Sequence, residues 1–436
     1  MTPAARLAAA AELLHEIEVA ATPAEQHVSA FFRARRYAGS KDRRWITEFV
    51  YRCLRRLGEL DWAVTRSGAE PTARLEALMA LILFEGVTPE AIAADYFGGT
   101  HGLAGLEPEE QAVLTAAASL DLADMPVEAA GNFPKWIADK LAEEYGAAAP
   151  AVMAAYQGRG PVTLRVNRLK ATRDDILAIL ADEGIEAAPT ALSPDGITLE
   201  SRINLSRHIL RESGRIELQD EAAQISARLA DAAVGMQVID FCAGSGGKSL
   251  AMAAGMNYDG QIHALDTDAK RMRDLAKRAN RAGVELIAPL LLHEDERDDE
   301  LLGQLAGSAD RVFVDAPCSG AGTWRRQPDQ KWKLTPERLE ELCALQRHIL
   351  GRAAPLVVPG GRLIYATCSI LREENQAQVD DFLSSHPDFH LVPVSALWAE
   401  VGLDGRYEGD CLALTPADHG TDGFFTAVLE KADPAQ

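Results

Sequence analysis

The chain has 436 residues, with the apolar and charged fractions of a folded globular protein, which leaves room for two or three domains and excludes disordered or fibrous classes. Its formal net charge of −21 argues at first against a nucleic-acid partner, because phosphate contacts need Lys and Arg. No uncharged apolar run reaches the roughly 18 residues of a membrane helix, and the Arg, Glu and His of the alanine-rich start do not suit a signal peptide.

Residues 4–65 read as helices, with Ala8, Leu13, Leu14 and Val19 on the apolar side of the first. Residues 31–60 then carry nine Arg and Lys against three Asp and Glu, a local net of +6 inside an acidic protein. Phe31, Trp45, Phe49, Tyr51 and Leu54 supply the apolar side of that stretch. It is either a solvated helix face or a surface for RNA, and its contrast with the global charge favours RNA. Helical patterning runs on to about residue 125, and Pro126 and the GNFP turn (131–134) mark a boundary.

PKWIADKLAEEYG reads as one more helix. PVTLRVN, ITLE and RIEL read as strands around the helix RDDILAILADEG, a small α+β module made locally basic by Arg202, Arg207, His208, Arg211 and Arg215. From 236 the rhythm becomes strand–helix–strand, with strands near 237–241, 262–266, 311–315 and 361–367. That is the pattern of a doubly wound, mostly parallel sheet. Thr335 and Pro336 open a helix that keeps Leu339, Leu342, Leu345 and Ile349 on one face.

The first of these strands runs into FCAGSGGKS. A P-loop would need glycine where Cys242 stands, and a dinucleotide fingerprint would need its third glycine where Ser249 stands. S-adenosylmethionine carries no phosphate and suits the turn better, with Asp266 at the end of the next strand placed for ribose hydroxyls.

The six cysteines (53, 242, 318, 343, 368 and 411) form no C-x-x-C pair, so neither zinc nor a disulfide is expected and a reduced, cytoplasmic setting is. Cys53 and Cys343 sit in helical patterns and read as small buried hydrophobes; Cys411 carries no assignment. Cys318 and Cys368 each follow a strand, at the edge where open α/β sheets bind ligands. A thiolate there suits methylation of a pyrimidine carbon. Addition to carbon 6 of cytosine makes carbon 5 nucleophilic; after methyl transfer a base takes the carbon-5 proton and the thiol leaves. Asp315 stands where it could steady the amino group or N3 of the ring.

DAPCSGAGTWRRQPDQKW, YATCSILREEN and FCAGSGGKS together resemble the Sun (Fmu) type of RNA cytosine-5 methyltransferase, over essentially the whole chain. AGSKDRRWITEFVYRCLRRL resembles that family's NusB-like RNA-binding domain, and TLRVN and ELQDEAAQIS its middle region. The resemblance implies an all-helical NusB-like domain (1–130), a small α+β module (131–230) and a Rossmann-like methyltransferase domain (231–431). It implies Cys368 as nucleophile, Cys318 as the thiol that assists release, and S-adenosylmethionine against Cys242, Ala243, Gly244, Ser245, Gly246, Gly247 and Lys248. Asp266 would bind its ribose and Asp315 would lie near donor and base. A further acid after the third strand is Asp295, with Glu294 and Glu296 as alternatives. Arg43 and Arg44, with Arg325, Arg326 and Lys331, would meet RNA, expected to be small-subunit ribosomal RNA, and the protein would be a monomer without a metal. The family's turn often has proline where this chain has Ser245. Two rivals stand beside this reading: a NusB-like RNA-binding regulator whose methyltransferase domain is inactive, and a DNA cytosine methyltransferase, which would attack from the cysteine after Pro317.

Overall fold

A computed structural model describes residues 1–434 apart from Gly99, Thr100, Arg202, Tyr258 and Glu294, and the side chains of all of these but Ser206 and Glu296. Packing divides the chain into two units, residues 1–159 with 324–334, and residues 160–323 with 335–436. The first unit runs past 130 to 159. Helices Lys135–Tyr145 and Ala149–Ala155 belong with the first unit, where Phe133 packs edge-on against Tyr156 and Asn132 accepts from the Glu59 N–H.

The first unit is helical. Helix Pro3–Val19 starts where Thr2 accepts from the Ala5 N–H with Pro at the first position, and it buries Leu7, Leu13, Leu14 and Ile17 at helical spacing. Helix Ala73–Glu85 is buried on most of its surface, so it forms the centre of this core. The segment 324–334 lies far away in sequence yet packs here. Trp324 is buried 5.8 Å from Phe133, and the Trp332 Nε1–H donates to the Leu54 carbonyl at 3.0 Å.

In the second unit, β1 (Val162–Val166), β2 (Ala187–Pro189), β3 (Gly196–Leu199) and β4 (Ile216–Leu218) form an antiparallel sheet in the order β2-β3-β1-β4. Arg202, expected to add to this module's charge, lies outside the described residues. The larger sheet has the parallel strands β5 (Gln237–Asp240), β6 (Gln261–Asp266), β7 (Ile287–Leu291), β8 (Ala309–Asp315) and β9 (Val357–Thr367). Antiparallel strands β10 (Phe389–Val392), β11 (Leu412–Leu414) and β12 (Phe424–Lys431) extend it beyond β9. The sequence reading places four of these strands. It passes over β7, where Pro289 weakens the strand signal and which lies at the sheet edge, where proline is tolerated. β12 pairs along β9 from Phe425↔Thr367 to Glu430↔Arg362 and so fixes the strand that leads to Cys368.

Among the described residues no helix is long and apolar enough to cross a membrane.

Candidate active site

The large sheet reverses its winding between β5 and β8: from β5 the chain steps out to β6 and β7, and from β8 to β9 on the other side. The carboxyl ends of strands part at such a point and leave a crevice. Here it is a cleft of about 1000 Å³, bordered by the turn after β5, Asp266, Asp315, Cys318, Cys368 and the helix Pro336–Ala353. Leu345 faces this cleft at 38% exposure, at the margin of the stripe on which Leu339, Leu342 and Ile349 are buried.

The turn needs its glycines. Gly244 and Gly246 have φ of +56° and +79°, which side chains rarely adopt. A Cβ at Gly246 would lie 2.6 Å from Leu275 Cγ, whereas one at Gly244 would meet nothing within 4 Å. The Gly244 backbone is thus open to a ligand, and serine at 245 takes nothing from it. Arg165 of β1 donates to the Gly247 carbonyl at 2.6 Å and Arg278 to the Ser245 carbonyl at 2.8 Å. Glu217 of β4 pairs with Arg278 at 3.0 Å and with Arg281. The small sheet therefore braces the turn, a role its sequence did not announce. Asp240, the buried last residue of β5, adds another brace by accepting from Ser249 Oγ at 2.5 Å; burial pushes its carboxyl up to about 7.

Asp266 accepts from the Gly244 N–H at one oxygen and from the Asp268 N–H at the other, both at 2.8 Å. Each oxygen keeps capacity for a second hydrogen bond. Asp295 borders the cleft and caps helix Glu296–Leu305; hydrogen bonds from Arg297 hold its carboxyl down at about 2. Of the alternatives, Glu294 and the side chain of Glu296 lie outside the described residues.

Lys248 is half-buried, in contact with Asp315 and 5.0 Å over the Phe424 ring. Burial opposes its charge, but the Asp315 carboxylate outweighs burial and raises it. A lysine so engaged is no clamp for phosphate. The cleft border carries both signs, with Asp266, Asp295, Asp299 and Asp315 against Lys248, Arg271, Arg338 and Arg352. The turn, its lysine taken up by Asp315, fits a phosphate-free donor and not a nucleoside triphosphate.

Cys318 and Cys368 come together, with Sγ atoms 3.5 Å apart. The hydrogen bond to Cys368, then burial, then the charges of Cys368 and Glu374 hold the Cys318 thiol well above the usual cysteine range. The loops carrying them are joined: the Gly322 N–H donates to the Cys368 carbonyl at 2.9 Å, and the Ala316 N–H to the Ala366 carbonyl at 2.9 Å. Cys242 lines the same cleft, and burial raises its thiol as well. Among the described residues no group of three or more His, Cys, Asp or Glu is placed to hold a metal.

The expected RNA contacts divide. Lys331 is 1% exposed, donates to the Arg55 carbonyl at 3.0 Å, and burial pushes its ammonium down to about 7. Arg325 is also buried, and its carbonyl accepts from Arg55 Nε. Both are corrected from RNA contacts to core residues of the helical unit, where Lys331 lies 4.9 Å over the Phe133 ring. Arg326 is half-buried. Arg43 donates to the Ala38 carbonyl at 2.7 Å and so anchors a loop, while Arg44 is exposed and pairs with Glu48. The exposed basic side chains of this stretch are Arg33, Arg36, Lys41 and Arg44, beside an exposed Tyr37.

The family described as 16S rRNA methyltransferase RsmB/F matches residues 229–430, and a ferredoxin-like domain of RsmF/B-like methyltransferases matches residues 133–206. The chain is similar to a probable ribosomal RNA small subunit methyltransferase B from Synechocystis sp., 30% identical over 413 residues, covering 90% of this chain and 92% of that one. Ribosomal RNA small subunit methyltransferase B of Pectobacterium carotovorum is likewise 30% identical, covering 91% and 92%. Among solved structures, PH0851 superposes with a TM-score of 0.77 at 26% identity over 99% of each chain. A methyltransferase homolog from Pyrococcus horikoshii gives 0.60 at 25% identity, over 72% of this chain and 100% of the other.

Proposed function

The chain belongs to the 16S rRNA methyltransferase RsmB/F family and takes S-adenosylmethionine as its donor, and from that premise we propose that it methylates carbon 5 of a cytosine through a covalent adduct on Cys368. The observation that carries this is the thiol pair, two sulfurs 3.5 Å apart at the strand ends that border the donor turn.

When bound, S-adenosylmethionine supplies an electrophilic methyl group on its sulfonium. Asp266 would hold the ribose hydroxyls, and the open Gly244 backbone would lie against the donor. Cys368 Sγ adds to carbon 6, which breaks the 5,6 double bond and makes carbon 5 nucleophilic enough to take the methyl. Asp315, fixed by Lys248, meets the N3 and amino edge of the base. The adduct turns Cys368 into a neutral thioether, which removes the charge and the hydrogen bond that hold the proton on Cys318. Cys318 then gives up its proton to solvent and takes the one on carbon 5. The electron pair that entered with the Cys368 thiolate leaves with it. The target base must be unpaired or turned out of its helix to reach the sulfur.

The helical unit serves as a NusB-like RNA-binding domain, through the exposed Arg33, Arg36, Lys41 and Arg44. The protein acts as a cytoplasmic monomer on small-subunit RNA, free or in a ribosomal particle. The test is methyl-labelled donor with 16S RNA or small-subunit particles, followed by digestion to nucleosides. Label in 5-methylcytidine is expected. Label in any other nucleoside refutes the carbon-5 reading, and RNA binding without methyl transfer favours the regulator.

A further inference from the structure

The 3.5 Å between the thiols gives neither sulfur precedence, but their surroundings are unequal. Beside Cys318 lies Glu374, fully buried in the short turn Arg372–Glu374. One of its oxygens accepts from the Ser319 N–H at 2.8 Å and from Gln346 Nε2 at 3.1 Å; the other accepts from Ser319 Oγ at 2.5 Å. The same Gln346 amide donates to the Pro317 carbonyl at 2.9 Å. Glu374 thus grips the peptide after Cys318 directly and the one before it through Gln346. Every one of these partners donates, which suits a carboxylate and not a carboxylic acid. On the Cys368 side the charges are Lys248, whose ammonium interacts with Cys368, and Asp315, which Lys248 neutralises.

We propose, on the two-thiol reading given above, that Glu374 is a positioning residue: it pins both peptides that flank Cys318 and, as a buried negative charge on that side alone, leaves Cys368 as the sulfur that attacks. The arrangement sets the order of the two thiols. Cys318 stays a thiol while Cys368 is free, and becomes a base after Cys368 is bound.

The test compares full-length wild type with Glu374→Gln, which keeps the length and one acceptor of the side chain and removes its charge. Both are treated with iodoacetamide at neutral pH without RNA or donor, and labelling at each cysteine is read by peptide mass spectrometry. Methyl transfer and melting temperature are measured beside it. The expected result is a rise of about tenfold in the ratio of label at Cys318 to label at Cys368, the change that one pKa unit produces. Turnover falls with it, and Glu374→Asp recovers part of the wild-type ratio. An unchanged ratio overturns the proposal, whether turnover is kept or lost, since loss alone is what a merely structural residue would give. If Glu374→Gln does not fold, Glu374→Asp is read in its place; it draws the charge back by one methylene and must raise the ratio above that of wild type. The labelling involves no RNA. A shifted ratio in a protein that never forms 5-methylcytidine therefore counts against the proposed reaction and leaves the role of Glu374 standing.

Discussion

Glu76 lies in the central helix of the helical unit at 4% exposure, and one of its oxygens has no hydrogen-bond partner. Burial, then the hydrogen bond and charge of Glu18 and the charge of Asp61, push its carboxyl from 4.5 up to about 10. Such a group favours folding fully below its unfolded value, and that contribution is lost as pH rises from 4.5 towards 10. At pH 7.5 the proton retained in the fold costs about 4 kcal/mol, at ~1.4 kcal/mol per unit above the unfolded value. Sharing of protons with Glu18 and Asp61 lowers this to roughly 2–4 kcal/mol. Glu76→Gln is neutral at every pH and escapes the cost. It should melt about 5–15 °C above wild type at pH 7.5, given ~2–4 °C per kcal/mol for domains of this size, and the gap should close towards pH 5. Tryptophan fluorescence is the assay, because five of the six tryptophans lie in the helical unit. A gap that stays constant between pH 5 and 8 would show that these carboxyls are solvated in the fold, and the reasoning would fail.

Reversing Arg36, Lys41 and Arg44 to Glu should weaken RNA binding and flatten its salt dependence by about 0.7–0.9 log units for each phosphate that is no longer neutralised; Lys331→Met, which changes a core residue, should leave that slope unchanged. Asp266→Asn should raise the dissociation constant for S-adenosylmethionine about 10–100-fold by calorimetry, the worth of a charge-assisted hydrogen bond. Lys248→Met leaves Asp315 without its partner and should cut methyl transfer by a similar factor, while neither it nor wild type should bind ATP, since the turn holds no free lysine for phosphate.

What could be read in the sequence was local. Strands ending in Asp315 and Thr367, the glycine turn, and the helix opened by Thr335 and Pro336 announced themselves by spacing, and the two thiols by their place after strands. What could not be read depends on distant partners. Nothing in WRRQPDQKW says that Trp324 and Lys331 are buried against residues about 190 to 280 positions earlier, so its charges looked like RNA contacts. Arg165 and Glu217 brace the glycine turn from a separate sheet, and no local pattern couples them to it. Glu374 stood in plain view in YATCSILREEN. Its position just after Cys368 was the available signal, but only the fold shows that it grips the loop of the other cysteine.

Trapping reads out the covalent role of Cys368. Cys318→Ala protein is incubated with small-subunit RNA and S-adenosylmethionine, then denatured and separated by electrophoresis. A protein–RNA adduct that survives denaturation is expected, because release is impaired while attack is intact, and it should vanish when Cys368→Ala is added. An adduct that persists in the double variant, or one formed by Cys368→Ala alone, would show that Cys368 is not the attacking sulfur.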